Sequence, residues 1–79
     1  MTYYVTFFTH SGAVKFSRKC DKLGLKSESG PVPRKLSSNC GIGVKLNFDG
    51  DIEELYDEEI EKIFKLENDV FTLVVDYDL

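Results

Sequence analysis

Two cysteines and one histidine are the side chains of this 79-residue chain best suited to nucleophilic or acid–base work near neutral pH. Cys40 stands in the most unusual stretch, Pro31-Val32-Pro33-Arg34-Lys35-Leu36-Ser37-Ser38-Asn39-Cys40-Gly41, which holds both prolines. Gly41 lets backbone approach a bound group with no side chain in the way. Ser37, Ser38 and Asn39 offer hydroxyl and amide contacts, and Arg34 brings a permanent positive charge. Cationic surroundings and a nearby helix N-terminus favour thiolate over thiol. The thiolate is the form that attacks sulfur, selenium or carbon electrophiles. Free cysteines are also commonly small buried hydrophobes, so the residues alone leave two readings of Cys40 open. His10 likewise reads either as a loop histidine or as an acid–base or anion contact near Cys40. Cys20 shares an apolar stripe with Phe16 and Leu23 and reads as structural. With so few ligands, the chain predicts no zinc or iron–sulfur site and no cofactor.

The elements that must position these residues follow from periodicity. Residues 2–8 are rich in Tyr, Val, Thr and Phe, which suits a strand. Thr9 or Ser11 can cap a helix whose stripe is Ala13, Phe16, Cys20 and Leu23, and Gly24 is placed to end it in a left-handed turn. Residues 25–30 are polar and make a strand only at a sheet edge. The proline-bearing stretch reads as irregular, because proline lacks the N–H and restricts its predecessor. Residues 42–48 alternate as a half-buried strand. Asp49-Gly50-Asp51 reads as a turn and helix start, and Ile52, Leu55, Tyr56, Ile60, Ile63 and Phe64 mark a second amphipathic helix with Glu58–Lys62 and Glu61–Lys65 pairs. Residues 70–77 form a last, apolar strand.

This β-α-β-β-α-β order predicts one α+β domain over residues 1–79. Its expected form is ferredoxin-like: a four-stranded antiparallel sheet, order 4-1-3-2, with two helices on one face. In that arrangement the end of the first strand, the helix start with His10, residues 34–41 and the start of the third strand meet at one end. Cys20 would lie about 15 Å down the helix, beyond the reach of a disulfide to Cys40.

Composition narrows the function. Apolar types at 42% with 30% charged residues read as globular, and 79 residues favour a carrier, regulator or binding module over a large catalytic scaffold. Residues 1–48 hold eight bases against two acids, net +6, whereas residues 49–79 hold two against twelve, net −10. An acidic pI of 4.8 and no aromatic-rich basic motif argue against nucleic acid. No apolar run is long enough to span a bilayer, and the opening residues lack the basic start of a secretory signal, so the expected location is cytoplasmic, away from membranes.

Pro31-Val32-Pro33-Arg34, followed by Leu36-Ser37-Ser38 and Cys40-Gly41, resembles the signature of the Putative Se/S carrier protein-like family, small bacterial domains. The likeness includes Tyr3-Tyr4-Val5-Thr6-Phe7, Ser11-Gly12-Ala13 and Leu23-Gly24-Leu25, and covers roughly residues 2–47. The resemblance implies selenium or sulfur handling, with Cys40 as the acceptor atom and Arg34, Ser37, Ser38 and Gly41 as its setting. It implies a carrier more than a turnover enzyme, one that holds a persulfide or selenosulfide and meets sulfur or selenium donor and acceptor proteins. The alternative is a non-enzymatic binding or regulatory module with a structural Cys40, pairing with a partner or a second copy through the apolar edge at residues 70–75. A third reading, a small phosphatase using Arg34 and Asn39, has no general base beyond His10.

Overall fold

The computed structural model describes residues 1–36 and 40–78. Its elements are β1 (Thr2–Phe7), α1 (His10–Lys22), β2 (Ser27–Pro31), β3 (Ile42–Asn47), a 3-10 turn (Ile52–Leu55), β4 (Ile60–Glu67) and β5 (Val70–Asp76). The strands form a five-stranded sheet in the order β2-β3-β1-β4-β5. Every neighbouring pair is antiparallel.

Successive side chains of a strand point to opposite faces, and β1 uses both. Tyr3, Val5 and Phe7 join Ala13, Phe16 and Cys20 of α1, Val44 and Leu46 of β3, and Ile60 and Ile63 of β4 in the core. Tyr4 and Thr6 point to the opposite face and are buried there too. The Phe7 and Phe16 rings lie 5.3 Å apart, fixing α1 against the sheet.

Both ends of α1 are closed by local chemistry. Thr9 Oγ1 accepts the Gly12 N–H at 3.0 Å. At the other end Gly24 takes φ 71°, the Gly24 N–H donates to Asp21, and the Leu25 N–H donates to Cys20. These are the two bonds of a Schellman motif. Leu25 then packs on the core. Leu23, expected on the buried stripe, is the cap residue and is 56% exposed.

The expected ferredoxin-like fold is overturned in the second half of the chain. Where a second helix was expected, the structure has the short 3-10 turn and then β4. Asp51 does cap a helical start, its side chain accepting the Glu53 N–H at 3.0 Å, but the helix stops after Leu55. Ile52 and Leu55 are buried in the core, whereas Tyr56 is exposed. The helix-like spacing of Ile60, Ile63 and Phe64 arises from irregular pairing. The register shifts between Thr6 and Phe7 on one side of β4 and between Ile63 and Phe64 on the other. The first shift places an extra residue, Glu61, in β4, so Ile60 and Ile63 fall three apart on the core face; the second places its extra residue, Val74, in β5. Phe64, opposite Tyr4, is buried on the other face, so together the three give a spacing a helix also gives. The expected helical ion pairs are replaced by strand contacts, Lys62 to Glu61 and Lys65 to Glu67, each at 3.4 Å. The sheet therefore has five strands, with β4 beside β1 and β5 at the edge. No helix among the described residues is long and apolar enough to cross a membrane.

Candidate functional site

The ladder between β2 and β3 ends at Pro31 opposite Ile42, and the chain between them forms a closed loop. The Val32 N–H donates to the Gly41 carbonyl at 2.9 Å, which seals its base. Inside it, the Leu36 N–H donates to the Pro33 carbonyl at 3.0 Å, so residues 33–36 make a turn with Arg34 and Lys35 at its tip. Pro31 is tolerated as the last residue of β2 because β2 is an edge strand, where a missing N–H breaks no ladder.

Half-buried Cys40 is at the loop's exit, packed against the core. Its thiol donates to the Ile42 carbonyl at 3.2 Å. Gly41 between them takes φ 75° and the space at its missing Cβ is open, so this glycine is required by backbone conformation and not by crowding. Gly43 shows the reverse: a Cβ there would meet the Tyr4 ring at 2.5 Å. Tyr4 thus lies flat over Gly43, and its hydroxyl donates to the Pro31 carbonyl at 3.3 Å. Burial, and next the electrostatic influence of neighbouring Cys40, push Tyr4 above the ordinary phenol range. Tyr4 is a neutral donor beside the thiol, not a base.

The loop extends over the sheet face opposite α1. Lys35 Nζ lies 5.0 Å from the Phe71 ring centre and donates to the Asp69 carbonyl at 3.3 Å. Phe71 stands edge-on to Tyr4 at 5.4 Å and to Phe64 at 6.3 Å. Charge over an aromatic face and packing of three rings fasten the loop across β1, β4 and β5. Tyr4 and Lys35 were not read from the sequence as site residues. The available signal was the doublet Tyr3-Tyr4, since a strand that buries both of two adjacent aromatics must be covered on both faces.

The residues expected at the site are brought together only in part. The end of β1, the start of α1 and the start of β3 do share one end of the sheet, as Thr6 opposite Gly43 requires. His10 lines a groove of about 330 Å³ between α1 and β2 with Val14, Arg18, Ser29 and Ile42. It forms no hydrogen bond or ion pair with Cys40 among the described residues. Arg34 is exposed at the loop tip. Ser37, Ser38 and Asn39 lie outside the described residues. Cys20 is buried, and burial first and Asp21 second push its thiol up, against a smaller opposing effect of the Ser27 hydrogen bond and Lys19. Both cysteines are free. Among the described residues, no group of three or more His, Cys, Asp or Glu could hold a metal ion.

Comparison with curated proteins and with solved structures finds no match. The family described as Putative Se/S carrier protein-like matches residues 2–69. That span runs from β1 to the turn before β5 and takes in the whole Cys40 loop. By this match over most of its length, the chain belongs to the Se/S carrier protein-like family.

Proposed function

We propose that the protein carries sulfane sulfur or selenium on Cys40. The observation that supports this reading most is the contrast between its two thiols. Cys20 is sealed in the core with its ionisation suppressed, whereas Cys40 is half-buried at the exit of a loop whose backbone is shaped by a left-handed glycine.

The step is thiol exchange. Cys40 loses its proton, releasing the bond to the Ile42 carbonyl, and its thiolate attacks the outer sulfur of a persulfide on a donor protein. A new S–S bond forms on Cys40 Sγ as the donor's S–S bond breaks. The donor leaves as a thiolate and takes up a proton. The transferred sulfur keeps its oxidation level, so no external oxidant is needed. Delivery is the same exchange with an acceptor thiol attacking, and a selenium atom takes the same place as the transferred sulfur. Arg34 supplies positive charge to the approaching anion, with Ser37 and Ser38 as hydroxyl contacts and Gly41 leaving room for the outer atom.

The test is loading by a cysteine desulfurase with cysteine as sulfur source, read by intact mass before and after a reductant. Wild type and Cys20→Ser gain one reducible sulfur; Cys40→Ser gains none. An adduct that persists in Cys40→Ser refutes the assignment.

A further inference from the structure

We infer that β5 is a docking edge for an extended apolar segment of another protein, flanked by basic residues. The sheet has two edges, β2 and β5. Natural edges are guarded by shortness, charge and proline. β2 carries such guards: five residues, polar or small side chains, and Pro31 at its end. β5 has seven residues, Val-Phe-Thr-Leu-Val-Val-Asp, with neither proline nor lysine, and its bulge at Val74 leaves the stretch from Val70 to Leu73 regular. Val70, Leu73 and Val74 are 60%, 51% and 47% exposed. Among the described residues its only strand neighbour is β4, so its outer row of N–H and C=O groups is free to pair. The register is regular from Val70 opposite Glu67 to Leu73 opposite Phe64, a continuous stretch on which a strand can be added.

Charge selects the occupant. Residues 66–79 contain Glu67, Asp69, Asp76 and Asp78 and no base. The nearby cations are already engaged: Lys65 with Glu67, Lys62 with Glu61, and Lys35 with the Asp69 carbonyl and the Phe71 ring. A second copy pairing antiparallel through β5 would set Asp69 of one chain near Asp76 of the other at both ends. A parallel copy would set each acid beside itself. Like charges across a strand pair are destabilising, so this edge disfavours its own kind and favours lysine or arginine at the ends of an incoming strand. This inference stands apart from the chemistry of Cys40.

The probe is a synthetic peptide, Lys-Lys-Val-Thr-Val-Thr-Val-Lys-Lys, and its twin with glutamate in place of lysine. Amide exchange of the intact protein is followed by NMR. The lysine peptide slows the outward β5 amides by about tenfold, less at high salt, while the glutamate twin leaves them unchanged. Leu73→Lys, at an exposed position that leaves the fold intact by circular dichroism, abolishes the protection. Equal protection by both peptides, protection by neither, or self-association through β5 in sedimentation equilibrium would each overturn the inference.

Discussion

Replacing Gly43 by alanine tests how the cysteine loop is seated on the sheet. The new methyl would be 2.5 Å from both Tyr4 Cζ and the Tyr4 hydroxyl oxygen and 2.6 Å from Cε2. Carbon atoms in contact prefer about 3.5–4.0 Å, so the ring must retreat by about 1 Å. Phe71 at 5.4 Å stands on one side of that ring, and the hydroxyl is tied to the Pro31 carbonyl. Overpacking of this kind costs about 1–3 kcal/mol, and losing the Tyr4–Pro31 hydrogen bond adds about 1 kcal/mol. In a domain of this size each kcal/mol lowers Tm by about 4–8 °C. Urea unfolding of Gly43→Ala should therefore show a lower midpoint with an unchanged slope. The clash is with Tyr4 specifically, so in a Tyr4→Leu background the same substitution should lose much of its penalty, a coupling of about 1 kcal/mol or more. Alkylation of Cys40 should also speed up as the loop lifts. A penalty of the same size in both backgrounds, or a neutral Gly43→Ala, would refute the account of the site.

Four further outcomes can be checked with the same protein. Iodoacetamide should modify Cys40 in the native state and Cys20 only on unfolding, read by peptide mass mapping, since Cys20 is buried and its thiol is held protonated. The folded values of Cys20 and Tyr4 lie above their unfolded ones, so the native state holds these protons longer. Stability should be full below the ordinary thiol range of about 8.5 and fall as pH rises through and beyond it. Cys20→Ala should be less stable at neutral pH but lose less between pH 8 and 10 in urea titrations. Thr9→Ala removes the cap of α1 and its bond to Glu59, and should cost about 1 kcal/mol in urea unfolding. Lys35→Met removes the cation over Phe71 and should raise the Cys40 alkylation rate with little change in the unfolding midpoint.

The first half of the chain was legible because its local signals agree with each other. Ala13, Phe16 and Cys20 recur at helical spacing, Thr9 caps and Gly24 terminates, and all are used as the periodicity implies. Residues 25–30 were too polar for anything but an edge, and β2, at Ser27–Pro31, is one, although Pro31 was read as part of the irregular stretch. The apolar last strand was also read with nearly its true limits. Residues 52–64 misled because a bulge at Glu61 sets Ile60 and Ile63 three apart on one face of a strand, because Phe64 is buried on the other face, and because Glu58–Lys62 and Glu61–Lys65 satisfy the rule for helical ion pairs without forming them. Pairing with β1 and β5 decided the matter, and neither partner is local in sequence. Of the site, the loop and the exit position of Cys40 were legible from Pro31, Pro33 and Gly41. The roles of Tyr4 and Lys35 were not, since both depend on which face the loop covers.

That face takes its form from β4, which stands where a second helix was expected and brings Phe64 beside Tyr4. One side of the sheet is covered by α1 and by Ile52 and Leu55 of the 3-10 turn. The opposite side, over β1 and β4, carries Tyr4, Phe64 and Phe71, with the Pro31 carbonyl and Lys35 laid against them. The stretch with the family signature is therefore part of the covering of the fold. Its prolines limit the conformations available to the unfolded loop and so reduce the entropy lost when it settles on the rings. A carrier thiol has to be reachable by two different proteins yet protected between visits. The described part of the loop is fastened at its base by the Val32–Gly41 bond and at its tip by Lys35, and Cys40 stands half-buried at its exit, so under the carrier role proposed above the thiol is reached without unpairing a strand.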